Sequence, residues 1–337
     1  MSPHKMLIAS RERYGKASGV TIVDRPKPVA RGNQVLVKIH ATSLNSADFD
    51  QLHGSIFARI GHPFKLGFRV LGSDIAGVVE AVGDSVTSFA PGDAVLADLT
   101  EEGFGAFAEY CLVNEAALTK KPESISFTDA AALASAGIIA YQACVHTREM
   151  HKGDHILING AGGGMGTIAL QMAKAVGAHV TAIDSKNKLE QLRALGADEV
   201  YDYKSVNYIN LTETFDRIVD CQAHFSAKAH LNLLNESGLH LTIGGPLKAI
   251  FSAFVGGRRL TKDRSEYIGL LLGKFNDKES LEALLSLHEA GLVKPVVDCI
   301  YPFSEIRQAM AQFELNAFVG KIVIQMIEDG GQDESTS

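Results

Sequence analysis

The chain is 337 residues long, 46% hydrophobic and 21% charged, with a formal net charge of −7. That length suggests about two domains with ample material for proper cores. The acidic balance, with no basic run longer than Arg258-Arg259, argues against nucleic acid or a membrane as partner. Cys111, Cys144, Cys221 and Cys299 are scattered and include no Cys-x-x-Cys pair, so neither a disulfide framework nor a zinc lobe is signalled. Reduced, mostly buried cysteines of a cytoplasmic protein are the simplest reading. Met1 to Gly19 carries no apolar core of signal-peptide length, and no apolar run is expected to approach transmembrane length.

In chain order, residues 1–126 read as strands and turns. Gln34 to Ala41 alternates like a half-buried strand, Asp74 to Gly83 is a strand punctuated by glycine, and Ala90-Pro91-Gly92-Asp93 turns into Ala94 to Ala97. From about 127 strands alternate with helices, at His155 to Asn159, Ala178 to Ile183, Arg217 to Asp220 and His240 to Ile243, with Lys186 to Leu195 as one of the helices. That rhythm implies a right-handed parallel sheet covered on both faces. After about 277 come a helix at Lys278 to Ala290, a strand near Val296 to Tyr301, a helix at Ser304 to Phe313 and a last strand at Gly320 to Met326. The expected organisation is one domain from 1–126 and 277–329, a second (127–276) inserted into it, and a flexible polar tail at 330–337.

The segment His155 to Gly166 carries the chemistry. A buried strand runs into glycines at 160, 163 and 166, and an amphipathic helix is expected over Thr167 to Lys174. Glycines so spaced permit a tight turn, close approach of backbone to a pyrophosphate, and close packing of helix on strand. The unpaired N–H groups and dipole of the helix start favour an anion. The next strand ends at Asp184, where a carboxylate meets an adenosine ribose. Gly160, Gly163, Gly164, Met165 and Gly166 are the expected pyrophosphate contacts, with Asp184, Ser185 and Lys188 at the adenosine end.

Gly32 to Lys38, Leu71 to Val79, Gly105 to Tyr110, Ala136 to Tyr141, the glycine turn, Leu195-Gly196-Ala197-Asp198 and Gly320 to Ile324 together resemble the medium-chain dehydrogenase/reductase superfamily, in its zinc-free quinone oxidoreductase-like branch. The resemblance spans nearly the whole chain. It implies an α/β fold, a GroES-like β-rich catalytic domain with an inserted Rossmann dinucleotide-binding domain, and an active site in the cleft between them. It also implies NAD(H) or NADP(H) as cofactor and a homodimer, for which Ile250 to Val255 offers apolar surface.

Zinc-dependent members of that superfamily place a cysteine at the position of Asn45, a histidine at that of Ser73 and a second cysteine at that of Ser135. Asn and Ser are poor zinc ligands, and no local cluster of Cys and His offers another site, so no metal is expected. Without zinc, an acceptor that spreads negative charge over itself is the easier one to reduce, which favours quinones and α,β-unsaturated carbonyls.

The resemblance places Asn45 near the nicotinamide as a hydrogen-bond donor; the alternative is an Asn that satisfies backbone in a turn. Asp48 reads as an acid anchoring the same loop. Asp50 stands where many similar enzymes carry a tyrosine; partly buried it could protonate an enolate, and solvated it would do nothing. Tyr203 packs near the adenosine or in the core, Ile243 and Gly244 end a strand at the nicotinamide, and Lys321 reaches the cofactor or faces solvent. Asp184 favours NADH, whereas Lys186 and Lys188, read as exposed, are possible partners for the phosphate of NADPH. Two other functions stay open: a zinc-free alcohol or aldehyde dehydrogenase, and a dinucleotide-binding protein without turnover.

Overall fold

The computed structural model describes residues 5–60, 65–145 and 148–326, apart from the side chains of Phe57 and Ile60. The expected tail at 330–337 lies outside them. The strands are β1 (Lys5–Ser10), β2 (Thr21–Pro26), β3 (Gln34–Ser43), β4 (Asp74–Val82), β5 (Ala94–Asp98), β6 (Tyr110–Asn114), β7 (Thr119–Lys120), β8 (His155–Asn159), β9 (His179–Asp184), β10 (Glu199–Asp202), β11 (Phe215–Asp220), β12 (Leu234–Thr242), β13 (Tyr267–Leu270), β14 (Val297–Pro302) and β15 (Lys321–Gln325). The helices are α1 (Ser46–His53), α2 (Ile56–Ile60), α3 (Phe127–Val145), α4 (Gly164–Ala175), α5 (Leu189–Ala194), α6 (Ala227–Leu231), α7 (Leu247–Phe251), α8 (Arg258–Leu260), α9 (Lys278–Glu289) and α10 (Ile306–Leu315).

Strands β8 to β13 form a six-stranded sheet in the order β10-β9-β8-β11-β12-β13, parallel throughout. In sequence terms that is 3-2-1-4-5-6, the dinucleotide-binding order, and its topological switch lies between β8 and β11. The burial of Ile156 to Asn159 explains why β8 reads as a continuous apolar run: both faces are covered. A second, seven-stranded sheet runs β14-β15-β3-β4-β5-β7, with β6 also on β3. Its last two strands come from beyond residue 296, so the C-terminal segment returns to the sheet built by the first hundred residues.

Helix α3 joins the two sheets. Ala130, Ala131, Ala132, Ala134, Ser135, Ala136 and Gly137 are buried along it, and these small side chains let neighbours approach closely. A Cβ at Gly137 would overlap the Leu284 side chain on α9. One expectation fails here. At 19 residues α3 is long and apolar enough to cross a membrane by length and composition, with 67% of the window buried within the fold; apolar packing on several sides gives it that composition.

The first 126 residues also hold helices the alternation did not signal. Asn45-Ser46-Ala47-Asp48 is a capping box that starts α1: the Asn45 side chain accepts from the backbone of the third helical residue, and Asp48 reaches back to the Asn45 N–H. The helix expected from Thr167 begins earlier, at Gly164.

Candidate active site

The glycine turn connects β8 to α4 at the switch point. Gly160 takes φ +79°, a conformation that favours glycine. Gly163 is the N-cap of α4 and faces open space, where a Cβ would meet only Gly160 O, at 3.5 Å. Gly166 is the reverse case, since a Cβ there would be driven into the Gly160 and Ala161 backbone. One glycine leaves room for a ligand and the other lets the helix sit on the turn. A cavity of about 280 Å³ opens from this turn, lined among others by Asn159, Gly160, Gly163, Asp184, Tyr203 and Tyr208.

Asp184 ends β9, is 8% exposed and points at the turn. Its Oδ2 accepts from Gly162 N at 2.7 Å and its Oδ1 from Ser185 N at 2.7 Å. Lys188 is not the exposed residue expected from sequence. It is buried, with its Nζ 3.6 Å from Asp184 Oδ1 and 3.1 Å from Asn316 Oδ1. The absence of a side chain at Gly162 makes this possible, because a Cβ there would come within 2.6 Å of Lys188 Cδ. Tyr203, half exposed, stands on the cavity wall rather than in the core. Ser185 is partly buried beside Asp184, and Met165 packs on the core between turn and sheet. Ile243 N bonds to Asp220 O at 2.9 Å and Gly244 O accepts from Ala223 N at 2.9 Å, so both sit at the end of β12.

The two halves of the chain meet at a buried polar cluster. Positions 45, 73 and 135, which resemblance makes the metal positions, do converge here, around Asp74. Asn45 Nδ2 donates to Ser73 Oγ at 2.9 Å and to Asp74 Oδ2 at 2.6 Å, Ser135 N donates to Asp74 Oδ1 at 2.8 Å, and Ser43 Oγ also donates to Asp74. Into the middle comes Lys321, only 3% exposed, with its Nζ 2.5 Å from Asn45 Oδ1 and 3.2 Å from Asp74 Oδ2. An ammonium can only donate, so Asn45 must present its oxygen to Lys321 and its NH₂ to Ser73 and Asp74. Both amide hydrogens are therefore engaged, and Asn45 holds the cluster and caps α1 rather than offering a free donor. The resemblance suggested Lys321 as a cofactor contact or a solvent-facing lysine; it is neither solvent-facing nor in the cavity lining.

Two further buried acids flank the cluster. Asp48 accepts from Asn45 N at 2.9 Å and from Gly72 N at 3.0 Å, and burial pushes its carboxyl up to about 8. Asp98, opposite Asp74 in the β4–β5 register, is raised to about 6 by burial and then by the charge of Asp74. Asp50, by contrast, lies on the exposed side of α1, and no hydrogen bond among the described residues joins it to the cluster. Partial burial raises its carboxyl while Ser55 and His53 lower it.

Sequence reading missed a second polar group, under the cavity. Asp220, at the end of β11, receives Asn159 Nδ2 at 2.8 Å and lies 3.4 Å from His230 Nε2 and 3.3 Å from His240 Nε2. Tyr208 OH, on the cavity wall, is 3.0 Å from His230 Nε2. Burial would raise the Asp220 carboxyl, but hydrogen bonds from the two histidines outweigh it and hold the group well below its ordinary range. Burial holds His240 down to about 4. Asp220, His230 and His240 stand on consecutive elements, β11, α6 and β12, and their convergence comes from the parallel crossover and not from a local ligand spacing. The three ligand atoms lie within 4.8 Å of one another, and the imidazoles are stacked at 3.9 Å and 23°. Both Nε2 atoms face the same carboxylate oxygen, Asp220 Oδ2, which holds the pair of imidazoles together.

Residues 31–123 match the family model described as an alcohol dehydrogenase GroES-like domain, and residues 195–324 match one described as a zinc-binding dehydrogenase. The chain is 32% identical over 320 residues to a chloroplast envelope quinone oxidoreductase homolog of Arabidopsis thaliana, covering 92% of this chain and 95% of that one. It is 33% identical over 336 residues to a 2-methylene-furan-3-one reductase of Solanum lycopersicum, covering 96% and 80%. A quinone oxidoreductase structure from Coxiella burnetii superposes with a TM-score of 0.85 at 27% identity, covering 96% of this chain and 100% of that one. The zinc in one family description meets no thiolate or imidazole at positions 45, 73 and 135, and an ammonium already bonds Asn45 Oδ1 and Asp74 Oδ2. With this fold, this turn and these relatives, the chain belongs to the medium-chain dehydrogenase/reductase superfamily, in its quinone oxidoreductase-like branch, and is an oxidoreductase of a kind that uses a nicotinamide dinucleotide.

Proposed function

We propose that this protein reduces quinones or α,β-unsaturated carbonyls with NADH, or with both NADH and NADPH, and does so without zinc. The observation that carries the reading is the Lys321 ammonium bonded to Asn45 and Asp74 at the centre of the cluster. A carboxylate neutralised by a buried ammonium is a poor metal ligand, and the neighbours at 45, 73 and 135 offer neither thiolate nor imidazole. A metal would contribute several kcal/mol to stabilising charge on an isolated carbonyl oxygen. One hydrogen-bond donor gives about 2.7–4 kcal/mol. Substrates that delocalise the charge close that gap themselves. The names of two relatives, a quinone oxidoreductase homolog and a reductase of a methylene-furanone, fit that class.

When bound, the dinucleotide supplies the hydride. The chain's own residues bind and orient it. The open face of Gly163 and the start of α4 receive the pyrophosphate, while Asp184 and Tyr203 flank the adenosine side of the cavity. Asp184 points inward with Lys188 already engaged by it and by Asn316, which supports NADH over NADPH. The apolar side chains of Phe251, Phe254 and Val255 are 67%, 42% and 47% exposed and lie near the edge strand β13; we propose that a second copy covers them in a homodimer. We also propose a cytoplasmic location, small-molecule substrates, and neither nucleic acid nor membrane as partner.

The test is steady-state oxidation of NADH and of NADPH with a simple quinone, a simple enone and, in the reverse direction, a primary alcohol. Quinone or enone turnover well above alcohol oxidation supports the reading. Alcohol oxidation alone would favour a zinc-free alcohol dehydrogenase. Tight dinucleotide binding with no turnover would leave a binding protein.

A further inference from the structure

Lys321 touches both halves of the site. Its own segment is tied to the glycine turn: Gly320 N donates to Gly162 O at 2.9 Å, and Gly163 and Gly320 form an isolated parallel bridge. Gly320 takes φ +76°, and a Cβ there would collide with Val296. The Lys321 stem then passes Gly164, the first residue of α4, so closely that a Cβ at 164 would overlap it. Its ammonium ends on Asn45 Oδ1, at the N-cap of α1, and on Asp74 Oδ2, on β4.

Burying a lysine costs the desolvation of its charge as well as the freedom of its side chain. An apolar side chain would fill the same gap beside Gly164 without the desolvation of a charge. What only the lysine supplies is a fixed reach from the cofactor's turn to the N-cap of α1. We propose that Lys321 is a positioning residue that couples dinucleotide binding at the glycine turn to the Asn45–Asp74 wall, and so sets the hydride donor against its acceptor. The proposal rests on the function argued above. Reaction rates respond steeply to such placement, since a misplacement of about 1 Å can cost about a hundredfold.

The test uses Lys321→Met combined with Asp74→Asn, which keeps the stem against Gly164 and removes both members of the buried ion pair together. Lys321→Arg, which keeps the charge but crowds the passage beside Gly164, serves as the second variant should the first fail to fold. Hydrogen exchange is read with and without saturating NADH, and with NADPH in parallel. In the unaltered protein, bound dinucleotide is expected to slow exchange both at residues 160–167 and at residues 45–53. In either variant only 160–167 should be protected. The Kd for the dinucleotide should stay within about threefold, while kcat falls at least tenfold and the isotope effect from deuterated reduced cofactor rises. Equal protection of 45–53 in variant and unaltered protein, or an unchanged kcat and isotope effect, would overturn the proposal. Absence of quinone and enone turnover in the unaltered protein would count against the function instead, and the exchange comparison would still decide the coupling.

Discussion

Two glycines three residues apart in the same turn should fail in opposite ways. At Gly163 the backbone sits at φ −83°, ψ 170°, an extended conformation that valine adopts readily. The only atom a Cβ would meet is Gly160 O at 3.5 Å, an ordinary contact. Gly163→Val should therefore fold, with its side chain in the space a pyrophosphate needs. Each charge-assisted bond from a turn N–H to phosphate contributes about 1.5–3 kcal/mol. Losing two raises Kd by a factor on the order of 10²–10⁴. At Gly166 even alanine is driven into the Gly160 and Ala161 backbone, and overpacking of that kind costs about 1–3 kcal/mol of stability. The assays are quenching of intrinsic tyrosine fluorescence or calorimetry for NADH affinity, and scanning calorimetry for Tm. The expected pattern is near-normal Tm with lost binding for Gly163→Val, and a clearly lower Tm for Gly166→Ala. Retained affinity in Gly163→Val would show that the phosphate lies elsewhere.

Asp184→Ser should shift the ratio of kcat/KM values toward NADPH by at least tenfold, about 1.4 kcal/mol; an unchanged ratio would mean Asp184 does not read the ribose. His240 stays neutral in the fold down to about pH 4, whereas unfolded histidine takes up its proton near 6.5. Its contribution is thus complete above about 6.5 and lost as pH falls toward 4, and His240→Phe, measured by Tm across that window, should flatten the slope. Phe251→Glu should convert a dimer to a monomer in light scattering; an unchanged mass would remove this face from the interface.

The repeating parts of the fold were legible because periodicity and glycine chemistry are local. The β8–turn–α4–β9 unit follows from alternation and spacing, and the return of the C-terminal strands from a last segment too short to fold alone. The capping box at Asn45 was present in the sequence too, but a strand-rich context hid it. Lys321, Lys188 and the Asp220 group were not legible in their roles. Lys321 lies 276 residues from Asn45, and only the closure of β15 onto β3 brings them together. Lys188 looked exposed since nothing local shows that Gly162 opens a channel for its stem. His230 and His240 join Asp220 through parallel strands and a crossover helix, so their pairing is a product of topology.

The central claim is quinone or enone reduction without zinc, in a fold whose three metal positions surround a buried ammonium bonded to Asn45 and Asp74. The direct measurement is elemental analysis of chelator-treated protein together with its rate of NADH oxidation by a quinone or enone. Less than a few hundredths of a zinc per chain with full activity is the expected result. Near one zinc per chain, with activity lost on chelation and restored by adding zinc, would contradict it.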